Sequence, residues 1–453
     1  MTYKFDHHRI ESALQKAKDT RHVLIGSNLL GDVDDFFVRC FGEQKAVIIA
    51  DENTFAAAGK RVFDALSAHQ RIDVEPFIFP SEPILYADYQ NVLKLESFLK
   101  LQDAVPIAVG SGTINDLTKL ASYRCHRPYL IVATAASMDG YTAYGAAITK
   151  DSFKQTIPCS APYAVLVDLD VVSQAPHRLT ASGYGDVLGK ITAGADWIIA
   201  DTLGIDPIIP HAWLLVQDTL RETIGRPGLL KTGDTQAIGR LIEGLILCGL
   251  SMQAIQASRP ASGSEHQFSH LWEMHETEHG VVSHGFKVGV GSIASAALYE
   301  QVLKQDLENL DVSRICAAWP PKSQVEMNVR QSFSNPKIIE EAVNHSLAKY
   351  IDPMQLALRL EKIKESWPTL KERLKSQLLS ASEIYDLLKE AGCPAHPTEI
   401  GHSLPDLKAS YALARKIRSR YTIFDFAAET GCFDDCVDQL FAPGGFWERA
   451  PHK

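Results

Sequence analysis

Short apolar runs recur through the first third of the chain, at positions 22–25, 46–49, 76–79, 105–109 and 129–133. Each is rich in β-branched or aromatic residues and is closed by Gly, Asp, Pro or Thr, the pattern of a buried strand ending at a turn. Between them, stretches such as 59–69 and 89–101 carry apolar residues at helical spacing. Strands alternating with helices predict a mostly parallel, Rossmann-like sheet with ligands outside the carboxyl ends of its strands. Positions 147–172 read as further β-structure, with runs at 153–157 and 164–167 either side of a Pro-containing connection. From 174 onward the alternation stops. Long amphipathic patterns take over at 185–202, 212–224, 235–257, 289–303, 337–347, 353–379 and 404–418. The expected organisation is an α/β nucleotide-binding domain over 1–173 and an all-helical domain over 174–453, with no internal repeat and no low-complexity linker.

Length and charge narrow the classes that fit. At 453 residues the chain exceeds one typical core. Its net charge of −10, with no long basic run, speaks against nucleic acid or an anionic membrane surface as main partner. The first ten residues hold no apolar core of a signal peptide, and apolar runs such as 245–250 are too short to span a bilayer. A cytoplasmic enzyme is expected. The eight cysteines are scattered and read as reduced thiols. Cys432 and Cys436 lack a second Cys/His pair and read as structural.

Several strand ends carry candidate chemistry. The run at 105–109 leads into Gly110-Ser111-Gly112-Thr113-Ile114-Asn115-Asp116 and then a helix. Small residues let backbone N–H groups approach a phosphate at a helix N-terminus, although Asn115 replaces the third Gly of a dinucleotide fingerprint. A plain strand–helix turn is the alternative. Asp51 closes the run at 46–49, where an acidic residue accepts from an adenosine ribose or simply caps a helix. The run at 129–133 enters Thr134-Ala135-Ala136-Ser137-Met138-Asp139-Gly140, whose hydroxyls suit a dinucleotide. Asp139 there either reaches substrate hydroxyls or closes a turn. Asp186 follows Gly-Tyr-Gly and is expected at a helix start, as a cap or as a metal ligand.

The densest signal is the window 264–285, with histidines at 266, 270, 275, 279 and 284. Imidazole is the commonest protein metal ligand. His266 and His270 stand one helical turn apart, with His284 returning after a turn. A competing pattern, His275-Glu276-Thr277-Glu278-His279, formally matches the zinc peptidase motif. The extended form of that motif fails, because Gly280 follows at once and His284 arrives one residue early. A third reading leaves all five histidines on the surface or satisfied in the core.

Taken in order, Gly-Ser-Gly-Thr-Ile-Asn-Asp, Thr-Ala-Ala-Ser-Met-Asp-Gly, Gly-Tyr-Gly-Asp, Ser-Gly-Ser-Glu-His-Gln-Phe-Ser-His and Ser-His-Gly resemble the iron-containing alcohol dehydrogenase superfamily. Within it the resemblance is to the sn-glycerol-1-phosphate dehydrogenases, bacterial type in particular, and covers residues 20–300 by motif. It implies a dehydroquinate synthase-like fold and a metal-dependent, NAD(H)-linked reduction of dihydroxyacetone phosphate. Glycerol or other polyol dehydrogenases, or a dehydroquinate synthase-like lyase, are the alternatives. It also implies roles. Asp186, His266 and His284 match the ligands of one divalent ion (zinc, nickel or iron). His270, Asp139 and Asp186 match substrate contacts, with Asp186 and His270 at the reacting centre. Gly110, Ser111, Gly112, Thr113 and Asp116 match the pyrophosphate loop, Thr134 and Ser137 further NAD contacts, and Asp51 the ribose contact. NAD is the implied cofactor, with NADP the alternative. The chain departs from the archaeal pattern at Ala143, where a Ser is usual, and beyond about residue 304. His275 and His279 match no ligand. The substrate phosphate needs a cationic pocket, for which Arg221, Arg226 and Lys287 are candidates, and a homodimer or higher homo-oligomer is the expected assembly.

Overall fold

A computed structural model describes residues 7–150, 153–274 and 282–449. The predicted runs become strands β1 (His22–Gly26), β2 (Ala46–Asp51), β3 (Phe77–Phe79), β4 (Val105–Gly110), β5 (Leu130–Ala133), β6 (Ala146–Lys150), β7 (Phe153–Ile157) and β8 (Ala164–Asp168). Six of them form one sheet in the order β1-β8-β5-β4-β2-β3. Every pairing in it is parallel. β6 and β7 form a separate antiparallel pair. The central strands read as continuous apolar runs because both faces are covered, and Val47, Ile48, Ile49, Ile107, Ala108 and Val109 are all fully buried. One face packs Ile48, Ala50, Ile107, Val109 and Leu166 against Phe36, Phe37, Val62 and Leu66 from the helices Val33–Phe41 and Lys60–Ala68.

The chain divides into two compact units. The first comprises Met1–Val187 with His211–Ser258, the second Leu188–Pro210 with Arg259–Lys453. The strand–helix alternation ends near Val172, yet the first unit also takes the helix Thr235–Ile255 from the helical part of the chain. At 21 residues this helix is long and apolar enough, by length and composition alone, to cross a membrane, which uninterrupted run length did not anticipate. Its most apolar stretch is 78% buried, as a core helix of the unit. All eight cysteines are free thiols, as expected.

Close approach inside the first unit depends on particular residues. A Cβ on Gly183 would overlap the carbonyl oxygen of Ala136, and one on Gly249 would overlap the Thr142 hydroxyl. These glycines seat the helices His177–Leu188 and Thr235–Ile255 against the segment that follows β5. Gln253 adds direct bonds, its amide donating to the Thr20 hydroxyl and the Thr142 carbonyl. At the end of β8, the Asp168 carboxylate accepts from the N–H groups of Asn28, Leu29 and Leu30 and so fixes the turn leaving β1.

The second unit is helical and built round a buried acid. Asp196, on the helix Lys190–Leu203, accepts from the Tyr299 hydroxyl (2.7 Å) and from the N–H groups of Ser264 (2.6 Å) and Ile423 (2.7 Å). Three distant stretches of chain thus converge on one carboxylate. Burial first, and the neighbouring Glu265 second, raise its pKa to about 6.

Two outcomes are expected. Gly183→Ala should lower stability by about 1–3 kcal/mol, because the added methyl group has no space that does not move the Ala136 backbone; a Tm equal to wild type would refute the close approach. The folded-state pKa of Asp196 lies above its ordinary value, so its protonation stabilises the fold fully below about pH 4 and that contribution is lost as pH rises through about 6. Asp196→Asn should therefore be less stable overall, yet should lose less Tm than wild type between about pH 4 and pH 7.

Candidate metal and nucleotide site

β2, β4 and β5 are neighbours in the sheet, so their carboxyl ends bring Asp51, Gly110 and Thr134 to one edge. Ile49 lies opposite Ala108 and Gly110 opposite Ala133, and the Thr134 N–H donates to the Gly110 carbonyl at 3.0 Å. The helix Gly112–Arg124 starts immediately after β4, with Ser111 at its cap position making no side-chain cap bond. The first three N–H groups of an α-helix have no partner within it, and here they belong to Gly112, Thr113 and Ile114 at a partially positive helix end. A Cβ on Gly110 would lie 2.6 Å from the Ile114 Cβ, so only glycine lets the helix leave the strand at this angle. Asp51 closes β2 and caps the next helical turn, accepting from the Thr54 N–H at 2.8 Å while the Thr54 hydroxyl takes the Asp51 N–H.

The segment from Thr134 to Gly145 forms the floor beside this edge. Lys119, fully buried, donates to the carbonyls of Gly140 (2.8 Å), Ala143 (3.0 Å) and Gly145 (3.1 Å). Asn115 donates to the Gly140 carbonyl and accepts from the Tyr129 hydroxyl, which explains an Asn where a dinucleotide fingerprint has Gly. Asp116 accepts from the Ala147 N–H at 3.3 Å and lies 3.6 Å from Lys119. Ser137 is buried with its hydroxyl 3.4 Å from that of Tyr141. Ala143, the departure from the archaeal pattern, contributes its backbone to the Lys119 cluster.

Asp139 and Asp186 are linked directly. The Asp139 N–H donates to Oδ2 of Asp186 at 3.0 Å, and the Asp139 carboxylate accepts from the Cys248 thiol at 3.3 Å. Asp186 is not at a helix start. It lies in the last turn of His177–Leu188, because the sequence Ser182-Gly183 continues the helix and Gly183 serves close packing.

Asp186, His266 and His284 each offer one ligand atom, and these atoms all lie within 4.8 Å of one another. His266 sits in the first turn of the helix Ser264–Glu273, and His284 opens the helix His284–Val302. Nδ1 of His266 lies 2.7 Å from Oε1 of the fully buried Glu265, and Nδ1 of His284 lies 2.9 Å from Oε1 of Glu273. Glu265 also accepts from the Gly263 N–H and the Thr192 hydroxyl. With Nδ1–H donated to a carboxylate, each ring keeps the Nε2 lone pair for an ion. One carboxylate and two imidazoles so prepared fit a catalytic divalent ion that keeps open coordination positions.

His270 shares the helix of His266, with ring centroids 6.1 Å from those of both His266 and His284. Burial, followed by the charge of Arg418, pushes its pKa down to about 3, so its imidazole is neutral near pH 7. Lys287 is buried with Nζ 3.4 Å from Glu273, whereas Arg221 and Arg226 are exposed. His275 and His279, the peptidase pattern, lie outside the described residues. Reading by motif overlooked Lys119, Cys248 and the carboxylates of Glu265 and Glu273. Only Glu265 had a usable sequence signal, as the acid next to a candidate ligand histidine.

Comparison with known proteins identifies the family of the chain. The sequence profile of the iron-containing alcohol dehydrogenase family matches residues 24–176. A glycerol-1-phosphate dehydrogenase [NAD(P)+] of Halalkalibacterium halodurans is 37% identical over 58% of this chain and 66% of its own. Another from Bacillus licheniformis is 33% identical over 72% of this chain and 84% of its own. Among solved structures, a probable glycerol dehydrogenase of Sinorhizobium meliloti superposes with a TM-score of 0.59 at 14% identity, covering 93% of this chain and 98% of that one. That likeness establishes the dehydroquinate synthase-like fold. The extent of the sequence match, with the parallel sheet, places the chain in the glycerol-1-phosphate dehydrogenase family of the iron-containing alcohol dehydrogenases.

Proposed function

We propose that the protein is a metal-dependent, NAD(H)-linked sn-glycerol-1-phosphate dehydrogenase that reduces dihydroxyacetone phosphate to sn-glycerol 1-phosphate. The observation that carries this reading is the convergence of Asp186, His266 and His284 within 4.8 Å. These three residues would hold zinc, nickel or iron, which a carboxylate and two imidazoles accept alike. An ion held there supplies Lewis acidity toward the ketone oxygen, and NADH supplies the hydride.

The protein's own part is placement. The N–H groups of Gly112 and Thr113, at a helix N-terminus beside Gly110 and Ser111, suit the pyrophosphate of NAD. Thr134 and Ser137 flank that position on the next strand end, and Asp116 supports it from below through Lys119 and the Ala147 N–H. Asp51 suits the adenosine ribose, its carboxylate already oriented by the Thr54 N–H, and favours NAD over NADP. Asp139, held by the Cys248 thiol, accepts from a substrate hydroxyl, and its own N–H steadies Asp186. His270, which burial and the charge of Arg418 keep neutral, would orient the substrate or serve the new hydroxyl as a proton route. The enzyme is proposed to work in the cytoplasm as a homodimer or higher homo-oligomer, with neither nucleic acid nor membrane as partner.

Two experiments test this. Protein stripped with a chelator and resupplied with zinc, nickel or iron should consume NADH with dihydroxyacetone phosphate and not with dihydroxyacetone. Turnover with the unphosphorylated ketone alone would make it a polyol dehydrogenase, and no turnover with either would direct attention to a lyase. Asp186→Ala should abolish turnover. It should also weaken metal binding by more than the roughly 10- to 100-fold typical of removing a residue that merely supports a ligand. Full activity in metal-free Asp186→Ala protein would overturn the metal role.

A further inference from the structure

Glu273 ends the helix Ser264–Glu273, and its side chain is only 3% exposed. Three groups converge on it. Nδ1 of His284 lies 2.9 Å from Oε1, Nζ of Lys287 lies 3.4 Å from the same oxygen, and Nδ1 of His270 lies 3.5 Å from Oε2. His270 stands one turn earlier on the same helix, while His284 and Lys287 stand one turn apart on the helix His284–Val302. The Ser269 hydroxyl, 3.3 Å from Nδ1 of His284, is the other polar group at that ring position. A carboxylate taken out of water needs such donors to offset its lost hydration. His284 hydrogen-bonds this carboxylate directly, whereas His270 stands at ion-pair distance from its second oxygen, so the one group orients one ring by a bond and the other by an electrostatic contact. A neutral ring carries one proton, and if Nδ1–H donates to Glu273 the lone pair must be on Nε2.

We propose that Glu273 is a positioning residue for two histidines at once: one carboxylate sets His284 for the ion and His270 for the substrate. This rests on the metal reading of Asp186, His266 and His284. Glu265 differs in serving a single ligand, His266. The consequence is a coupling. Loss of Glu273 damages metal binding through His284 and substrate orientation through His270, whereas loss of either histidine damages only its own function.

The test uses the full chain with zinc as probe, first without nucleotide or substrate. Zinc affinity is measured by competition with a chelator, and folding of the metal-free proteins by far-UV circular dichroism and Tm. Glu273→Leu should bind zinc about 10- to 100-fold more weakly. Glu273→Gln, whose amide oxygen still accepts from Nδ1–H, should lose less and serves as the folded variant should the apolar one fail to fold. With zinc saturating, Glu273→Gln should retain a raised KM for dihydroxyacetone phosphate. His270→Ala should show the raised KM with wild-type zinc affinity. Wild-type zinc affinity in a folded Glu273 variant, or a KM fully restored by excess zinc, overturns the inference. Zinc binding that is absent from wild type, or unchanged in Asp186→Ala, overturns instead the metal reading beneath it.

Discussion

A carboxylate removed from water must be surrounded by donors, and this requirement organises the molecule from fold to site. Asp168 collects three backbone N–H groups at the end of β8 and fixes the turn leaving β1. Asp196 joins Ser264, Tyr299 and Ile423 to its own helix. Glu265 spends its acceptors on Gly263, Thr192 and His266, and Asp186 is held by the Asp139 N–H. The same chemistry thus closes turns, packs helices and orients imidazole rings. Side chains held by such pairs have their orientation set by the fold itself.

The second constraint is steric. The segment between β5 and β6 must lie close to two helices if Asp139 is to bond both Asp186 and Cys248. Gly183 and Gly249 make that approach possible, and Lys119 with Gln253 then binds the segment's carbonyls from either side. Packing and polar satisfaction are therefore one solution here. The buried lysine replaces the water that the turn carbonyls, removed from solvent, would otherwise need.

Much of the α/β part was legible because buried parallel strands leave a strong signal: apolar runs broken by turn residues need no partner to be recognised. The strand ends were legible for the same reason, since Asp51, Gly110 and Thr134 each stand where such a run stops. Helix boundaries were less so. Glycine beside Asp186 reads as a helix start, yet Gly183 is needed for contact with Ala136 and the helix runs through it. Likewise, the apolar helix Thr235–Ile255 was visible as a helix, but only packing shows that most of it is core.

By itself the sequence determined the residue types able to bind a divalent ion, the order of the strand-end motifs and the change from alternating to helical structure. Those features are local, and local spacing encodes them. Tertiary structure decided which carboxylate supports which histidine, how the helix Thr235–Ile255 joins the first compact unit, and why Lys119 and Cys248 matter. Glu265 and His266 are neighbours on one helix, but Glu273 and His284 stand on separate elements, and Cys248 and Asp139 are 109 positions apart. No periodicity in one chain specifies such a pairing. It follows from packing, which must bring each buried donor to an acceptor.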